Sequence, residues 1–381
     1  MQTHTTPSGK GYTSSQWAAQ KTPTLSIILP AYNTGDFMAQ TLDALSRAHE
    51  HGAELIIVHD GGQDDTLEVA LAWAQAHENL AVLIIDQAHA GLAAARHTGL
   101  QYARGQYLAF CDGDAFLDLG TYAEMVQLGQ TQNCEMVVCR AVVFDNLTGQ
   151  MRDFDDASVF DALVQDQKSV VTSWAKSPQL FSLEPHANLR ILQREFFFRA
   201  GLKFTTGRFH EDIDPHVSAL CQARHVGLLN RTGLFSRVGH PGAFSRQAGM
   251  QRFDVLHGVQ AALASAQATG LSAEAQAAML SMLLRTVFGC GQQVPYSERA
   301  NFVNQANQVL AGHITPQAIE QGLRQHFRTR REALLALAFH DQETRLIRRR
   351  LDNERWYLHG SALRFLWRHR NAIHQGLQRL R

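Results

Sequence analysis

Charge is scarce in this chain: 18% of its 381 residues are charged against a 45% hydrophobic share, and Lys plus Arg equals Asp plus Glu at 35 each. A balance of this kind points to a folded globular protein and away from a whole-molecule polycation, so nucleic acid is not expected as a partner. Cysteine is scarce too. Cys111, Cys134, Cys139, Cys221 and Cys290 are odd in number, scattered, and without the paired spacing of a metal site, so they read as reduced, mostly buried thiols. No run reaches the roughly 20 apolar residues of a membrane-spanning helix, and Met1 to Ser15 lacks the apolar centre of a secretory signal. A cytoplasmic protein is therefore expected. The Gly-x-Gly-x-x-Gly turn of dinucleotide-binding folds is also missing after the first apolar run, where Pro30, Ala31, Tyr32 and Asn33 stand instead. That disfavours a dinucleotide-dependent oxidoreductase.

The length suffices for about two domains. Residues 1 to 22 are rich in Thr, Ser, Gln and Gly without an apolar period and are expected to be a flexible leader. From Leu25 short apolar runs follow one another: Leu25 to Leu29, Leu55 to Val58, Leu80 to Ile85 and Tyr107 to Cys111. Each has the length of a buried strand. Helical stretches alternate with them. One is expected from Phe37 to His49, a second behind a capping box of Asp65 and Glu68 with Val69 and Trp73 on one face, and a third from Leu92 to Ala103. This alternation predicts an α/β fold with a mainly parallel sheet flanked by helices, and ligands at the carboxyl ends of its strands. A domain over 23 to 250 is expected, followed over 251 to 381 by a helical domain, where Ala277 to Leu284 and Ala333 to Phe339 are apolar runs.

Chemistry-bearing residues gather where strands should end. Asp112, Gly113 and Asp114 follow the fourth run, and two carboxylates one residue apart suit Mg²⁺ or Mn²⁺, which keeps waters and takes further ligands from substrate phosphates. Taken alone, Asp-Gly-Asp reads first as a solvated acidic turn, because Asp and Gly are common turn formers. The second run ends in His59 and Asp60, a further acid able to accept a base N–H bond, and Glu211 with Asp212 forms a third acidic site far along the chain.

In that order the motifs resemble family 2 glycosyltransferases, whose fold is termed GT-A. Ser26 to Asn33 resembles the family's opening strand and loop, and Val58 to Gly62 its Val-Asp-Asp-Gly-Ser strand end with His and Gly substituted. Gly91, Ala95, Arg96, His97, Gly99 and Leu100 are similar to its Ala-Arg-Asn segment except at His97, and Gly105, Gln106 and Tyr107 lead into the acidic pair, after which Ala115 replaces a frequent Asp. Phe204, Gly207, His210, Glu211 and Asp212 resemble the acceptor-site motif, and Phe235, Arg237, Gly242 and Ser245 a later loop, so the resemblance covers about residues 24 to 246.

It implies an inverting enzyme that transfers a sugar from a nucleotide-diphosphate sugar, most simply a UDP-sugar, to a saccharide or glycoconjugate acceptor in polysaccharide synthesis. Asp212 is implied as catalytic base, Glu211 as an acceptor contact, and His210 as either a contact or a packed histidine. Pro30, Tyr32, Asn33, Asp60, Arg96, Asp112, Gly113 and Arg237 are implied to bind the donor, with Asp114 and Asp112 holding Mn²⁺ or Mg²⁺. Arg237, with His240 and Arg246, lies in a Gly-rich stretch that either closes over phosphates or faces solvent. Two rivals remain: a catalytically silent partner protein of the same fold in a polysaccharide assembly complex, and a nucleotidyltransferase. The tail from Arg345 is strongly basic, with Trp356, Tyr357, Phe365 and Trp367 interleaved. It suits peripheral contact with an anionic membrane or polymer, or a packed terminal helix with solvated arginines.

Overall fold

The computed structural model describes residues 1–206, 209–239, 247–342 and 344–351. The chain forms two compact units. The first comprises Met1–Thr172, His186–Gly207 and Gln222–Arg246; the second comprises Ser173–Pro185, Arg208–Cys221 and Gln247–Arg381. The helical unit thus includes two segments that lie well before the boundary expected near residue 250.

Twelve strands make one sheet in the first unit. They are β1 Gln2–Thr6, β2 Gly9–Thr13, β3 Leu25–Ala31, β4 Ala53–His59, β5 Val82–Asp86, β6 Tyr107–Phe110, β7 Phe116–Leu117, β8 Met136–Asp145, β9 Met151–Asp153, β10 Ser169–Thr172, β11 Arg190–Gln193 and β12 Val226–Val238. The order is β1-β2-β5-β4-β3-β6-β11-β8-β12-β10, with β7 on β12 and β9 on β8. Strands β5, β4, β3 and β6 are parallel. Every residue of β3 and β4 is buried, which is why these strands read as unbroken apolar runs.

The helices Gly35–Ala44, Thr66–Ala76 and Leu92–Tyr102 cross between successive strands of this parallel set. The chain moves outward from β3 to β4 and β5, then returns to place β6 on the other side of β3. That reversal opens a crevice at the carboxyl ends of β3 and β6. The helix Leu92–Tyr102 packs tightly under it, since a Cβ on Gly99 would lie 2.5 Å from Ile28 Cγ2.

Three local expectations are corrected. Residues 1–22 are an ordered attachment, not a flexible leader: β1 and β2 form a hairpin, β2 pairs antiparallel with β5, and a short helix Ser15–Ala19 follows. Arg104 secures that helix by stacking on Trp17, 3.9 Å from its ring centroid, and donating to the Trp17 carbonyl at 2.9 Å. The helix expected to reach His49 ends at Ala44 and is followed by a separate turn, Ala48–His51. The Asp65 side chain does not cap its helix; Asp64 Oδ1 accepts from Thr66 N at 3.2 Å and from Thr66 Oγ1 at 2.7 Å. Trp73 of that helix is buried as expected, while Val69 is half-buried.

The second unit is helical, with Val255–Thr269, Ala273–Gln293, Arg299–Leu310 and Arg330–His340 as its longer helices. The 21-residue helix Ala273–Gln293 is its centre, burying Leu280, Leu283, Leu284 and Val287 among others. Among the described residues no helix is long and apolar enough to cross a membrane. The aromatic residues of the basic tail, Trp356 to Trp367, lie outside the described residues.

Candidate functional site

At the crevice three loops clasp one another. Asn33, just past β3, adopts a left-handed φ of 51°, and its Oδ1 accepts from Gln63 N at 3.0 Å. Asparagine tolerates that conformation better than most residues. Gly35 N donates to Asp64 Oδ2 at 2.8 Å, binding the β3 loop to the β4 loop. On the other side Thr41 Oγ1 donates to the Gly113 carbonyl at 3.0 Å, and a Cβ on Gly113 would meet Thr34 Oγ1 at 2.8 Å. Only glycine lets the acidic loop come this close. Pro30 is buried in β3, and Tyr32, 47% exposed, stacks on His89 with ring centroids 4.2 Å apart.

Asp112 and Asp114 alternate with buried neighbours at the end of β6, both half-buried. Arg96, 2% exposed, donates through Nη2 to Asp112 Oδ1 at 2.9 Å. Its guanidinium lies between Phe204, 4.9 Å from the ring centroid, and Phe110 at 5.8 Å. His97, at the position where the resembling family carries Asn, accepts from Phe204 N through Nε2 at 3.1 Å and so fixes that ring. Burial alone would raise the Asp112 carboxyl, but the charge and hydrogen bond of Arg96 outweigh it and hold the group below the usual carboxylate range. His186 and Asn188 also face Asp112. Burial pushes His186 down to about 4 despite the pull of Asp112, so the ring is neutral.

Asp60 and Arg237 sit where the motifs put them but are engaged differently. Asp60 is 2% exposed. Its Oδ1 accepts from Gln87 Nε2 at 2.6 Å and Ala90 N at 2.9 Å, while Oδ2 accepts from Gly91 N at 2.8 Å and pairs with His89 Nδ1 at 2.9 Å. Its lone pairs hold the loop that leads into the helix Leu92–Tyr102, in place of the outward-facing acceptor expected for a base. Arg237 was expected to fork onto phosphate, but its Nε donates to the Asp114 carbonyl at 3.2 Å, Nη1 to Asn146 Oδ1 at 2.5 Å and Nη2 to Gln40 Oε1 at 2.8 Å. It is 8% exposed and lies within 5 Å of the Phe37 and Phe116 ring centroids, at 4.7 and 4.8 Å. It braces the acidic loop. His240, Gly242, Ser245 and Arg246 lie outside the described residues.

His59, substituted for an acid in the motif, is buried at the end of β4 and pairs through Nδ1 with Asp86 Oδ1 at 2.7 Å. His59 and Asp86 are register partners, so the pair joins the ends of β4 and β5.

His210, Glu211 and Asp212 belong to the helical unit. His210 takes a left-handed φ of 58°. Its Nε2 lies 3.0 Å from Cys290 Sγ and 3.3 Å from Arg252 Nη1, and burial with the Arg252 charge pushes it down to about 4. The ring is half-buried and engaged within the helical unit. Glu211 is buried, Asp212 is half-buried, and the Asp212 carbonyl accepts from His216 N at 3.1 Å as the helix Ile213–Gln222 begins.

No group of three or more His, Cys, Asp or Glu side chains that could hold a metal occurs among the described residues. Asp112 and Asp114 offer the oxygen donors that Mg²⁺ or Mn²⁺ prefers, and they fit an ion whose remaining ligands are waters and substrate phosphates. Sequence reasoning passed over His89, His186 and Asn188, because each stands in an irregular segment with neither period nor motif to mark it.

Residues 26–183 match the model of glycosyl transferase family 2. The Bacillus subtilis glycosyltransferase EpsJ is 28% identical over 233 residues, 58% of this chain and 63% of that protein. Escherichia coli YibD is 26% identical over 190 residues, 50% of this chain and 54% of that one. The chain therefore spans less than two thirds of the length of these curated relatives. Among solved structures, residues 1–349 of Staphylococcus aureus TarS in complex with UDP-GlcNAc superpose with a TM-score of 0.65 at 16% identity, covering 88% of this chain and 93% of that one. This likeness places the sheet and its flanking helices in the GT-A-like fold.

Proposed function

On the premise that the chain belongs, through residues 26–183, to glycosyl transferase family 2, we propose that it moves a sugar from a UDP-sugar to a saccharide or glycoconjugate acceptor in polysaccharide synthesis, inverting the anomeric centre. The observation that carries this reading is the paired Asp112 and Asp114 at the switch point of the parallel sheet, Asp112 kept charged by a buried Arg96. The UDP moiety is supported by the nucleotide sugar bound in TarS.

The exposed face of Tyr32, backed by His89, offers a stacking surface for a flat base. Asp60 and Asn33 act by holding the loops around it. Asp114 and Asp112 are the residues that would hold Mn²⁺ or Mg²⁺, which when bound offsets charge on a leaving diphosphate. Arg237 keeps Asp114 in place from behind. Breaking the anomeric bond leaves negative charge on the diphosphate oxygen, which needs no proton, whereas the attacking hydroxyl must lose one. Asp212 takes that proton as general base, and Glu211 orients acceptor hydroxyls. Attack opposite the leaving group gives inversion without a covalent intermediate.

Thermal stabilisation by nucleotide diphosphates and nucleotide sugars, with and without Mn²⁺ or Mg²⁺, tests the reading, because selective binding raises stability. The expected result is a metal-dependent shift with uridine nucleotides that Asp114→Ala abolishes and Asp212→Asn retains, while Asp212→Asn lowers turnover by about 10²–10⁴-fold. The absence of any nucleotide-dependent shift would transfer the argument to the silent partner protein, and pyrophosphate release from a triphosphate to the nucleotidyltransferase.

A further inference from the structure

In the helical unit a groove of ≈490 Å³ runs between the helices Val255–Thr269 and Arg299–Leu310. Nothing in the donor chemistry uses it. Its walls carry amide side chains: Asn301, Gln305 and Gln308 recur at spacings of four and three on one helix, so they share a face, and Gln260 stands on the opposite helix. All four are exposed. Gln305 Nε2 donates to Asn301 Oδ1 at 3.0 Å, which sets the two amides as a ladder. Phe253 and Met250, the latter 50% exposed, contribute apolar surface at one end.

We propose that this groove binds a neutral stretch of saccharide chain, the acceptor glycan or its elongated product. An amide offers a donor and an acceptor from one rigid group, as a sugar hydroxyl does, and the C–H faces of a pyranose suit Phe and Met. Among the described residues no Lys or Arg lines the groove, which holds the Asp254 carboxylate and the His257 imidazole. An anionic polymer would therefore meet one carboxylate and no Lys or Arg to offset its charge. The groove is also tied to the acceptor motif inside the same unit, because Asp254 Oδ2 accepts from Phe209 N at 3.1 Å, three residues before Asp212. The word acceptor rests on the transferase reading; the binding itself does not.

Isothermal titration of the full chain with neutral hexasaccharides of glucose, galactose or N-acetylglucosamine, and with a hexagalacturonate of equal length, tests the proposal. At least one neutral series binds saturably and the anionic one does not. Gln305→Leu combined with Gln308→Leu, and Gln260→Leu alone, each weaken that binding about tenfold or more while thermal stability is unchanged. Failure of every neutral series to bind, undiminished binding in both variants, or preference for the galacturonate overturns it. Nucleotide-induced stabilisation, read on the same samples, separates the two readings. If it is present and the groove fails, only the groove inference falls; if it is absent and groove-dependent binding persists, the transferase reading falls and the saccharide site stands.

Discussion

Asp112 forms an ion pair with Arg96, and its behaviour with pH follows largely from that pair. Its folded value is depressed, so the stability it contributes is fully present above the unfolded value of about 4 and is lost as pH falls through the lower folded value. Arg96→Met removes the charge and the hydrogen bond and leaves burial, which raises the carboxyl. The expected outcome is that Arg96→Met lowers stability at neutral pH, that the acid limb followed by urea unfolding against pH shrinks because the raised carboxyl takes up its proton in the fold, and that metal-dependent nucleotide stabilisation weakens with it. An unchanged acid limb would show that Arg96 does not hold Asp112 ionised. At this scale the sequence made the acidic residues visible but not their partners. That Asp60 would be saturated by Gln87, His89 and two backbone amides, and Arg237 by Gln40, Asn146 and Asp114, depends on loops meeting across tens to hundreds of positions, for which a single chain carries no periodic signal.

At the level of elements, Glu54 lies in β4 one residue before the apolar run Leu55 to Val58, where apolar character alone does not mark the strand. It is fully buried in β4 and accepts from Ser26 Oγ at 2.6 Å and from Arg104 through backbone N, Nε and Nη2 at 2.7, 2.8 and 2.6 Å. Arg104 in turn carries Trp17. Arg104→Ala leaves a buried carboxylate unpaired and releases the amino-terminal helix, at a cost of about 3–5 kcal/mol in chemical unfolding; Arg104→Lys recovers part of it, since one ammonium cannot replace the fork. A loss near zero would mean that water reaches Glu54. The same linkage explains why strands β3 to β6 were legible and residues 1–22 were not. The former bury both faces and announce themselves as apolar runs, whereas the latter are polar and are held by Arg104, by Ser14 Oγ on the Leu80 carbonyl at 2.7 Å and by pairing of β2 with β5. Composition reports burial, not attachment. The helix expected through His49 stops at Ala44 for a related reason: Met38 and Leu42 continue the buried stripe, but the Ser46 side chain turns back onto the Asp43 carbonyl at 2.7 Å.

At the scale of the whole molecule, His186 and His210, both half-buried, contribute to the acid response. His186 and His210 both lie at about 4 when folded and near 6.5 when unfolded, burial being the leading cause in each. Between those values the unfolded chain takes up protons that the folded chain refuses, so stability rises with pH through the window and falls as the pH drops from about 6.5 to about 4. Melting temperature should decline over that range, with His210→Gln and His186→Gln each flattening the slope. A flat profile in the native protein would mean that both rings are protonated in the fold. The division into two units was only half visible beforehand, because a change from alternating strands to an alanine- and leucine-rich helical stretch marks residue 251 but not the earlier segments 173–185 and 208–221, whose place is decided by packing. The hairpin at the start of the sheet has a further consequence. β5 is apolar and would by itself end the sheet with unsatisfied amides and carbonyls, but the outermost strand is instead β1, whose Gln2, Thr3, His4 and Thr5 are exposed. A neighbouring molecule that added a strand there would gain little from burying such side chains. At this rim the sheet therefore shows water a polar strand in place of its own apolar interior one.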